Sequence, residues 1–410
     1  MIVRPAKRTE DVREYYFSRK LKEIARLDAG REALGEDAVI NLGIGSPGGM
    51  PPQEAIAALC AGAQQSASHV YQSYVGIPEL RNAFARWYED WYGVSLDPDT
   101  EIQPLFGSKE GIMLISLAFL DEGDRVLVPD PGYPAYSSAS RLAGGVPVSY
   151  DLVEEHGWQP DFDALESMDL SGVKLMWTNW PNMPTGAPAS EELFARLADF
   201  GRRHGILICN DNPYSFILNG SPLSILSVPN AKECCLELNS LSKAHNMSGW
   251  RIGMLAADRE IVSQVLKVKS QMDSGMFRPM QLAAVEALAQ GHDWFGRLNE
   301  EYRRRQVAAG KIFDRIGAEY DSNSCGMFLW GKVGTGNPLL AGYAGCTSGM
   351  TSGEAVSDRL LHEAGVFITP GFIFGRNGSG YVRISLCAEV PVLEKACRKI
   401  EDMMENLILR

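Results

Sequence analysis

The sequence predicts an α/β fold in which a mainly parallel sheet is sandwiched between helices, with a smaller α/β domain beside it. Short, continuously apolar runs are typical of strands that are buried on both faces. Helical patterns separate several of these runs, as at 191–203, and this alternation favours a parallel sheet. The length of 410 residues provides for two domains. The predicted strands are 125–128, 173–177, 206–209, 234–238 and 252–256, with 381–386 in the smaller domain.

Composition and charge exclude several classes of protein. The chain is 45% hydrophobic and 22% charged, as ordinary globular proteins are. Its net charge of −12 would repel nucleic acid or an anionic membrane. The longest apolar stretch, 112–120, is far shorter than the roughly 20 residues of a membrane helix, and we see no signal sequence. The eight cysteines lack zinc-type spacing. We therefore expect a cytoplasmic protein without a metal.

Two further segments have clear local signals. Pro78 starts a helix with its apolar residues on one face, and Gly93 ends it. The segment 334–353 contains six glycines and little periodicity, which predicts a loop. Its length leaves two interpretations open, a simple connector or a lid over the substrate.

Residues with reactive or charged side chains follow the predicted strands, at the end of the sheet where open α/β folds bind ligands. Lys243 comes after the fourth strand, and a lysine in a site can form a Schiff base with a carbonyl, although a single lysine is by default a surface residue. Asp211 follows the third strand. Alone it suggests a helix cap or turn, but beside a lysine a buried carboxylate would keep a pyridine nitrogen protonated. Arg251 could meet a phosphate.

A turn of small residues precedes the apolar run at 112–120. Ser108 and Lys109 lie at this helix start, where backbone N–H groups are available to a phosphate. Lys109 also competes with Lys243 as the Schiff-base residue, although its position suits a phosphate contact better.

Taken together, these motifs resemble the class I aminotransferases of the aspartate aminotransferase superfamily, which use pyridoxal phosphate and have fold type I. The resemblance runs from Asn41-Leu-Gly-Ile-Gly-Ser-Pro47 to Tyr381-Val-Arg-Ile-Ser385, with the motifs in the family's order. It implies a large domain at 50–300, a small domain from 1–49 and 301–410, and a homodimer with shared active sites. The sequence from Tyr71 to Tyr136 is most similar to the sequences of the aspartate and LL-diaminopimelate aminotransferases. This similarity implies an acidic or dicarboxylic amino acid and a 2-oxo acid such as 2-oxoglutarate.

The resemblance also assigns roles to individual residues. Lys243 would bind the cofactor covalently and move the substrate proton, Asp211 would pair with the pyridine nitrogen, and Tyr214 would pair with the ring hydroxyl. The other positions it implies are Ser108, Lys109, Ser240 and Arg251 for the phosphate, Tyr71 for the phosphate in the neighbouring subunit, Tyr133 for stacking on the ring, and Gly45 and Arg383 for the substrate.

The chain departs from the family at Met183, where an asparagine usually bonds the ring hydroxyl. Methionine cannot donate that hydrogen bond. Tyr214 then becomes the main hydrogen-bond donor to the ring oxygen, or the neighbouring Asn182 shifts to supply the missing hydrogen bond. For a distal substrate carboxylate Arg278 is a candidate, with an interface or surface role as the alternative.

Two rival functions stay open at this point. A β-lyase or a decarboxylase could use the same cofactor and the same motifs. A non-catalytic binding module is disfavoured because Lys243, Asp211 and Arg251 are intact.

Overall fold

The computed structural model describes residues 2–10, 12, 14–344 and 349–408. The helices are α1 Tyr16–Ala33, α2 Gln53–Ala63, α3 Pro78–Tyr92, α4 Ser108–Phe119, α5 Pro134–Leu142, α6 Phe162–Ser167, α7 Glu191–His204, α8 Arg259–Lys269, α9 Arg278–Leu288, α10 His292–Ile316, α11 Ser352–Arg359 and α12 Val390–Ile408. The strands are β1 Ile40–Asn41, β2 Ile102–Leu105, β3 Arg125–Asp130, β4 Val146–Asp151, β5 Val173–Thr178, β6 Leu207–Asp211, β7 Cys235–Ser240, β8 Gly253–Ala256, β9 Ala318–Tyr320, β10 Phe328–Val333, β11 Val366–Phe367, β12 Thr369–Pro370 and β13 Tyr381–Ser385.

A seven-stranded sheet forms the centre of the molecule, in the order β2-β8-β7-β6-β5-β3-β4. The pairs from β4 to β7 are parallel, and only β8 runs antiparallel to its neighbours. One face packs on α4, α5 and α8 through residues such as Trp177, Leu238 and Ile115. The other face packs on α3 and α7, where Phe84 and Phe200 are buried. The predicted fold class is confirmed, as are the five predicted strands of this sheet.

Two smaller sheets lie in the remaining part of the chain. A four-stranded antiparallel sheet has the order β12-β13-β10-β9, and β1 pairs with β11 in parallel. The second pairing joins the N-terminal segment to the C-terminal third. The domain division at 50 and 300 stays a prediction, and α10 crosses position 300 without interruption.

The other sequence-predicted segments can also be located. Helix α3 begins at Pro78 and is followed by Gly93 in the left-handed conformation (φ 64°), as predicted. The predicted loop 334–353 contains a 3₁₀ turn, Pro338–Leu340, and the start of α11, while its residues 345–348 lie outside the described residues. In the described part of the chain, no helix combines the length and the hydropathy needed to cross a bilayer.

Candidate active site

A cavity of about 500 Å³ opens at the carboxyl ends of the parallel strands. Strands β5, β6 and β7 direct their following residues to this edge, α4 adds its N-terminus, and β13 adds a side chain from the smaller sheet. Ten sequence-predicted site residues line the cavity: Gly45, Ser108, Lys109, Tyr133, Asp211, Tyr214, Ser240, Lys243, Arg251 and Arg383. Their cofactor and substrate roles stay predictions, but the fold does bring these residues together.

Lys243 lies where the chain leaves β7. Its Nζ donates a hydrogen bond to the backbone oxygen of Gly45 over 2.6 Å. Burial lowers the pKa of Lys243, and the charges of Arg383 and Arg251 lower it further. A lower pKa increases the neutral amine fraction, which is the form that attacks a carbonyl carbon.

Asp211, the last residue of β6, is buried in the cavity wall. Its Oδ2 accepts a hydrogen bond from the Tyr136 hydroxyl over 3.0 Å, and the Tyr136 ring stacks on Trp177. Its Oδ1 has no hydrogen-bond partner among the described residues. Burial raises the pKa of Asp211 to about 6. A buried carboxylate oxygen without a donor suits a cationic N–H group, and the protonated pyridine nitrogen of pyridoxal phosphate is such a group.

We expect the cofactor-free protein to lose stability as pH rises through about 6, because folding raises the pKa of Asp211 above its unfolded value. The native state binds this proton more tightly than the unfolded state, so the contribution of Asp211 to the free energy of unfolding is greatest below pH ~4 and falls by on the order of 2–3 kcal/mol through the titration. Urea unfolding at pH 5 and pH 8 measures about 1.4 kcal/mol of this change, because the rest of the contribution is lost below pH 5. Asp211→Asn, which does not titrate, should show a smaller drop, and equal drops in the two proteins would contradict the assignment.

The Tyr136 hydroxyl is expected to hold the Asp211 carboxylate in its orientation. Tyr136→Phe should weaken cofactor binding about tenfold, because a buried hydrogen bond to a charged group contributes roughly 1.5–3 kcal/mol. Titration of the apo-protein with pyridoxal phosphate measures the Kd. Tyr150→Phe is the matched control, since it also removes a buried hydroxyl, one that donates to the Trp177 carbonyl over 2.8 Å. Equal Kd values for the two variants would exclude a positioning role for Tyr136.

A cluster of donor groups lies between α4 and the segment that follows β7. Gly107 precedes α4 with φ 82°, and a Cβ there would come 2.3 Å from Nη2 of Arg251, so the close approach requires glycine. Arg251 is anchored by the carbonyls of Ser248 and Phe106. The buried Ser108 hydroxyl is close enough to Asp211 to lower its pKa, but it makes no hydrogen bond of good geometry in the described part of the chain. A guanidinium, a donor hydroxyl and a helix N-terminus together fit a phosphate group.

Arg383 on β13 is a buried cation, with only 4% of its surface exposed. It donates to the Gly43 carbonyl over 2.9 Å and to the sulfur of Met183 over 3.2 Å, and its guanidinium lies 3.8 Å from the ring centre of Phe328. No acidic side chain of the described residues pairs with it, and its Nε lacks a partner. Burial lowers the pKa of Arg383 to about 10, so it stays charged at neutral pH. A buried cation that faces a cavity without a counter-ion suits an anionic ligand, and the bidentate fork of arginine matches a carboxylate.

Three sequence-predicted candidates lie away from the cavity. The Asn182 side chain accepts a hydrogen bond from the Thr185 hydroxyl over 2.7 Å within its own turn, so it does not line the cavity next to Met183. Tyr71 is 90% exposed on the surface of this chain. Arg278 faces Glu79 at 3.7 Å, also outside the cavity.

Sequence reasoning missed several cavity residues. Asn179 directly follows β5, so the strand-end argument could have found it; its side chain bonds the backbone of Asp211 and Met183. Tyr136 lies three residues after Tyr133. Tyr15 and Phe17 line the cavity from the N-terminal segment, and they have no local signal in the sequence.

Comparisons with known proteins point to one family. The family described as "Aminotransferase class I and II" matches residues 37–400. An LL-diaminopimelate aminotransferase from Dehalococcoides mccartyi is 38% identical over 399 residues, covering 97% of this chain and 98% of the relative. A substrate-bound BacF structure from Bacillus subtilis has a TM-score of 0.88 at 30% identity, with 98% of each chain covered. A double mutant of the Thermus thermophilus aspartate aminotransferase has a TM-score of 0.85 at 26% identity, covering 98% of this chain and 100% of that one.

Proposed function

Because the chain belongs to the class I and II aminotransferases, which use pyridoxal phosphate, we propose that it transfers the amino group of a dicarboxylic amino acid to a 2-oxo acid such as 2-oxoglutarate. The family membership agrees with the resemblance found in the sequence. The observation that carries the proposal is that Lys243 and Arg383 line one cavity. Lys243 supplies an amine, and Arg383, which has no acidic partner among the described residues, can bind the carboxylate of a substrate. The relatives named LL-diaminopimelate aminotransferases favour a donor of the diaminopimelate type, and aspartate is the alternative acidic donor.

The cofactor, when bound, supplies an electron sink for the electrons of the substrate Cα–H bond. We propose that Arg251, Ser108 and Ser240 hold its phosphate, with Lys109 at the same helix start. Asp211 holds the proton on its pyridine nitrogen, and Tyr214 donates to its ring oxygen.

Arg383 orients the substrate by its α-carboxylate. This orientation brings the Cα proton toward Lys243. The amine of Lys243 would accept this proton and deliver it to carbon C4′ of the cofactor. Tyr133, Phe328 and Phe374 form an aromatic wall of the cavity and exclude water from the bound substrate.

We also propose that the active protein is a homodimer. An exposed apolar patch includes Val70, Tyr71, Tyr74, Met272 and Phe277, with exposed fractions from 41% to 90%. Such a patch is typical of an interface between subunits. In a dimer Tyr71 would contact the phosphate bound by the neighbouring subunit. Sedimentation at micromolar concentration tests the dimer, and a monomer that is fully active would exclude it.

We propose that the protein is located in the cytoplasm. The described residues include seven cysteines, all of them free thiols, which suits a reducing environment. Fractionation of cells that express a tagged chain tests this location.

A panel of amino donors with 2-oxoglutarate tests the proposed reaction. LL-diaminopimelate and aspartate should give glutamate with kcat/KM at least ~10-fold above leucine and phenylalanine, because a second carboxylate adds a charge-assisted hydrogen bond. A preference for apolar donors would overturn the dicarboxylic assignment. Release of pyruvate and ammonia, or of carbon dioxide, without a 2-oxo acid would instead identify a β-lyase or a decarboxylase.

A further inference from the structure

Two adjacent thiols occur where the chain enters β7. Side chains of neighbouring residues in an extended strand point to opposite faces of the sheet. Cys234 departs from the extended conformation, with φ −143° and ψ 7°, immediately before Cys235 begins the strand. The two sulfur atoms are consequently only 3.9 Å apart.

This sulfur separation matches a chelate better than a disulfide. Two bonds of about 2.3 Å from one tetrahedral centre place their sulfur atoms roughly 3.8 Å apart. A disulfide requires about 2.05 Å between the sulfurs, and it usually joins Cα atoms at least ~4.4 Å apart, whereas those of adjacent residues are about 3.8 Å apart. A pyramidal trivalent centre holds its two sulfurs somewhat closer than a tetrahedral one, so the thiols, at 3.9 Å, are within a small side-chain rotation of the spacing that such a centre needs.

The surroundings favour reaction at Cys234. Its sulfur donates to the carbonyl of Ala198 on α7, and the charges of Arg202 and Glu233, which form a surface ion pair at 3.4 Å, act on it. The hydrogen bond from Cys235 and the charge of Arg202 lower the pKa of Cys234 to about 7, while burial and the carboxylates of Glu233 and Asp199 oppose this change. The lowered pKa makes Cys234 the more readily ionised thiol of the pair.

The pair is separate from the active site. Cys235 is at the amino end of β7, whereas Ser240, at the opposite end, lines the catalytic cavity. A structural zinc ion needs four protein ligands. In the described ranges, the only cluster of three or more metal-ligating side chains is Glu23, Asp358 and His362, elsewhere on the protein. The geometry at β7 thus suits a ligand atom that needs only two bonds to protein thiols.

We propose that Cys234 and Cys235 form a binding site for a trivalent organoarsenical. With phenylarsine oxide, arsenic forms one bond to each sulfur and loses its oxygen, which leaves as water with the two thiol protons. Arsenic remains trivalent and both sulfurs remain reduced, so no oxidant takes part.

Binding of phenylarsine oxide to the holoenzyme tests this site. We expect one equivalent per chain at Cys234 and Cys235 by intact mass and peptide mapping, with bound arsenical protecting Cys234, the more accessible of the two thiols, from iodoacetamide. Cys234→Ser and Cys235→Ser should each weaken binding at least ~100-fold, because the second bond of a chelate benefits from a high effective concentration. Cys60→Ser, which removes an exposed single thiol, should bind as the parent does.

Two results would overturn the proposal. The first is a Cys234→Ser variant that binds with the affinity of the parent. The second is unchanged alkylation of the Cys234-Cys235 peptide in the unsubstituted protein at saturating arsenical, a measurement that does not depend on any variant folding. Neither readout involves amino transfer, so the outcome is independent of the proposed function.

Discussion

Replacing Lys243 with alanine should abolish amino transfer, lowering kcat by at least about 10⁴-fold. A positioned general base contributes roughly 10²–10⁴-fold to a proton transfer, and this variant also loses the amine that binds the cofactor covalently. The lysine Nζ is held over the cavity by the Gly45 carbonyl, and its environment lowers its pKa. The measurement is steady-state glutamate formation, together with borohydride reduction and peptide mapping of the cofactor-labelled residue.

Lys109→Ala is the matched control for this prediction. Lys109 lines the same cavity but is exposed, with its Nζ 5.0 Å from the ring centre of Tyr15. We expect this variant to retain the borohydride-stable label at Lys243 and to bind the cofactor more weakly. If Lys243→Ala keeps the label and Lys109→Ala loses it, Lys109 is the attachment residue.

The fold was predictable where burial leaves a simple pattern. The five sequence-predicted strands of the central sheet, β3 and β5 to β8, are covered by helices on both faces, so most of their side chains are apolar, and their bounds differ from the prediction by at most two residues. Within this sheet, the two strands that sequence reasoning missed are its edges, β2 and β4. Both contain proline and polar residues, as in Ile-Gln-Pro-Leu and Val-Pro-Val-Ser-Tyr-Asp, because an edge strand has one unpaired side.

The site was predictable where topology alone positions a residue. Lys243 and Asp211 each follow a strand, and parallel strands end at one edge of the sheet. Tertiary packing positions the other residues of the cavity. Phe17 reaches the cavity from a segment more than 300 residues away from Arg383 along the chain, and no local pattern records such a contact. Asn182 is the opposite case, a sequence-predicted residue that does not line the cavity, since its side chain is hydrogen-bonded within its own turn.

Replacing Arg383 with methionine should raise the KM for the amino acid ~100-fold or more, with a smaller change in kcat. Two charge-assisted hydrogen bonds to a carboxylate are worth on the order of 3 kcal/mol together. The cofactor-free variant should nevertheless be about as stable as the parent. Arg383 has no anionic partner among the described residues, so burying its charge already costs free energy, which an apolar side chain of similar volume does not. Donor kinetics and thermal unfolding are the two measurements.

Arg376→Met is the control, because Arg376 is an exposed arginine paired with Asp151 at 3.1 Å, and its loss should alter neither quantity. An unchanged KM in Arg383→Met would place the substrate carboxylate elsewhere. A large fall in the melting temperature would show instead that the guanidinium supports the packing of Phe328 and Gly43. Weaker substrate binding with unchanged stability distinguishes the two roles, because a buried cation whose counter-ion arrives with the ligand can be removed without cost to the free protein.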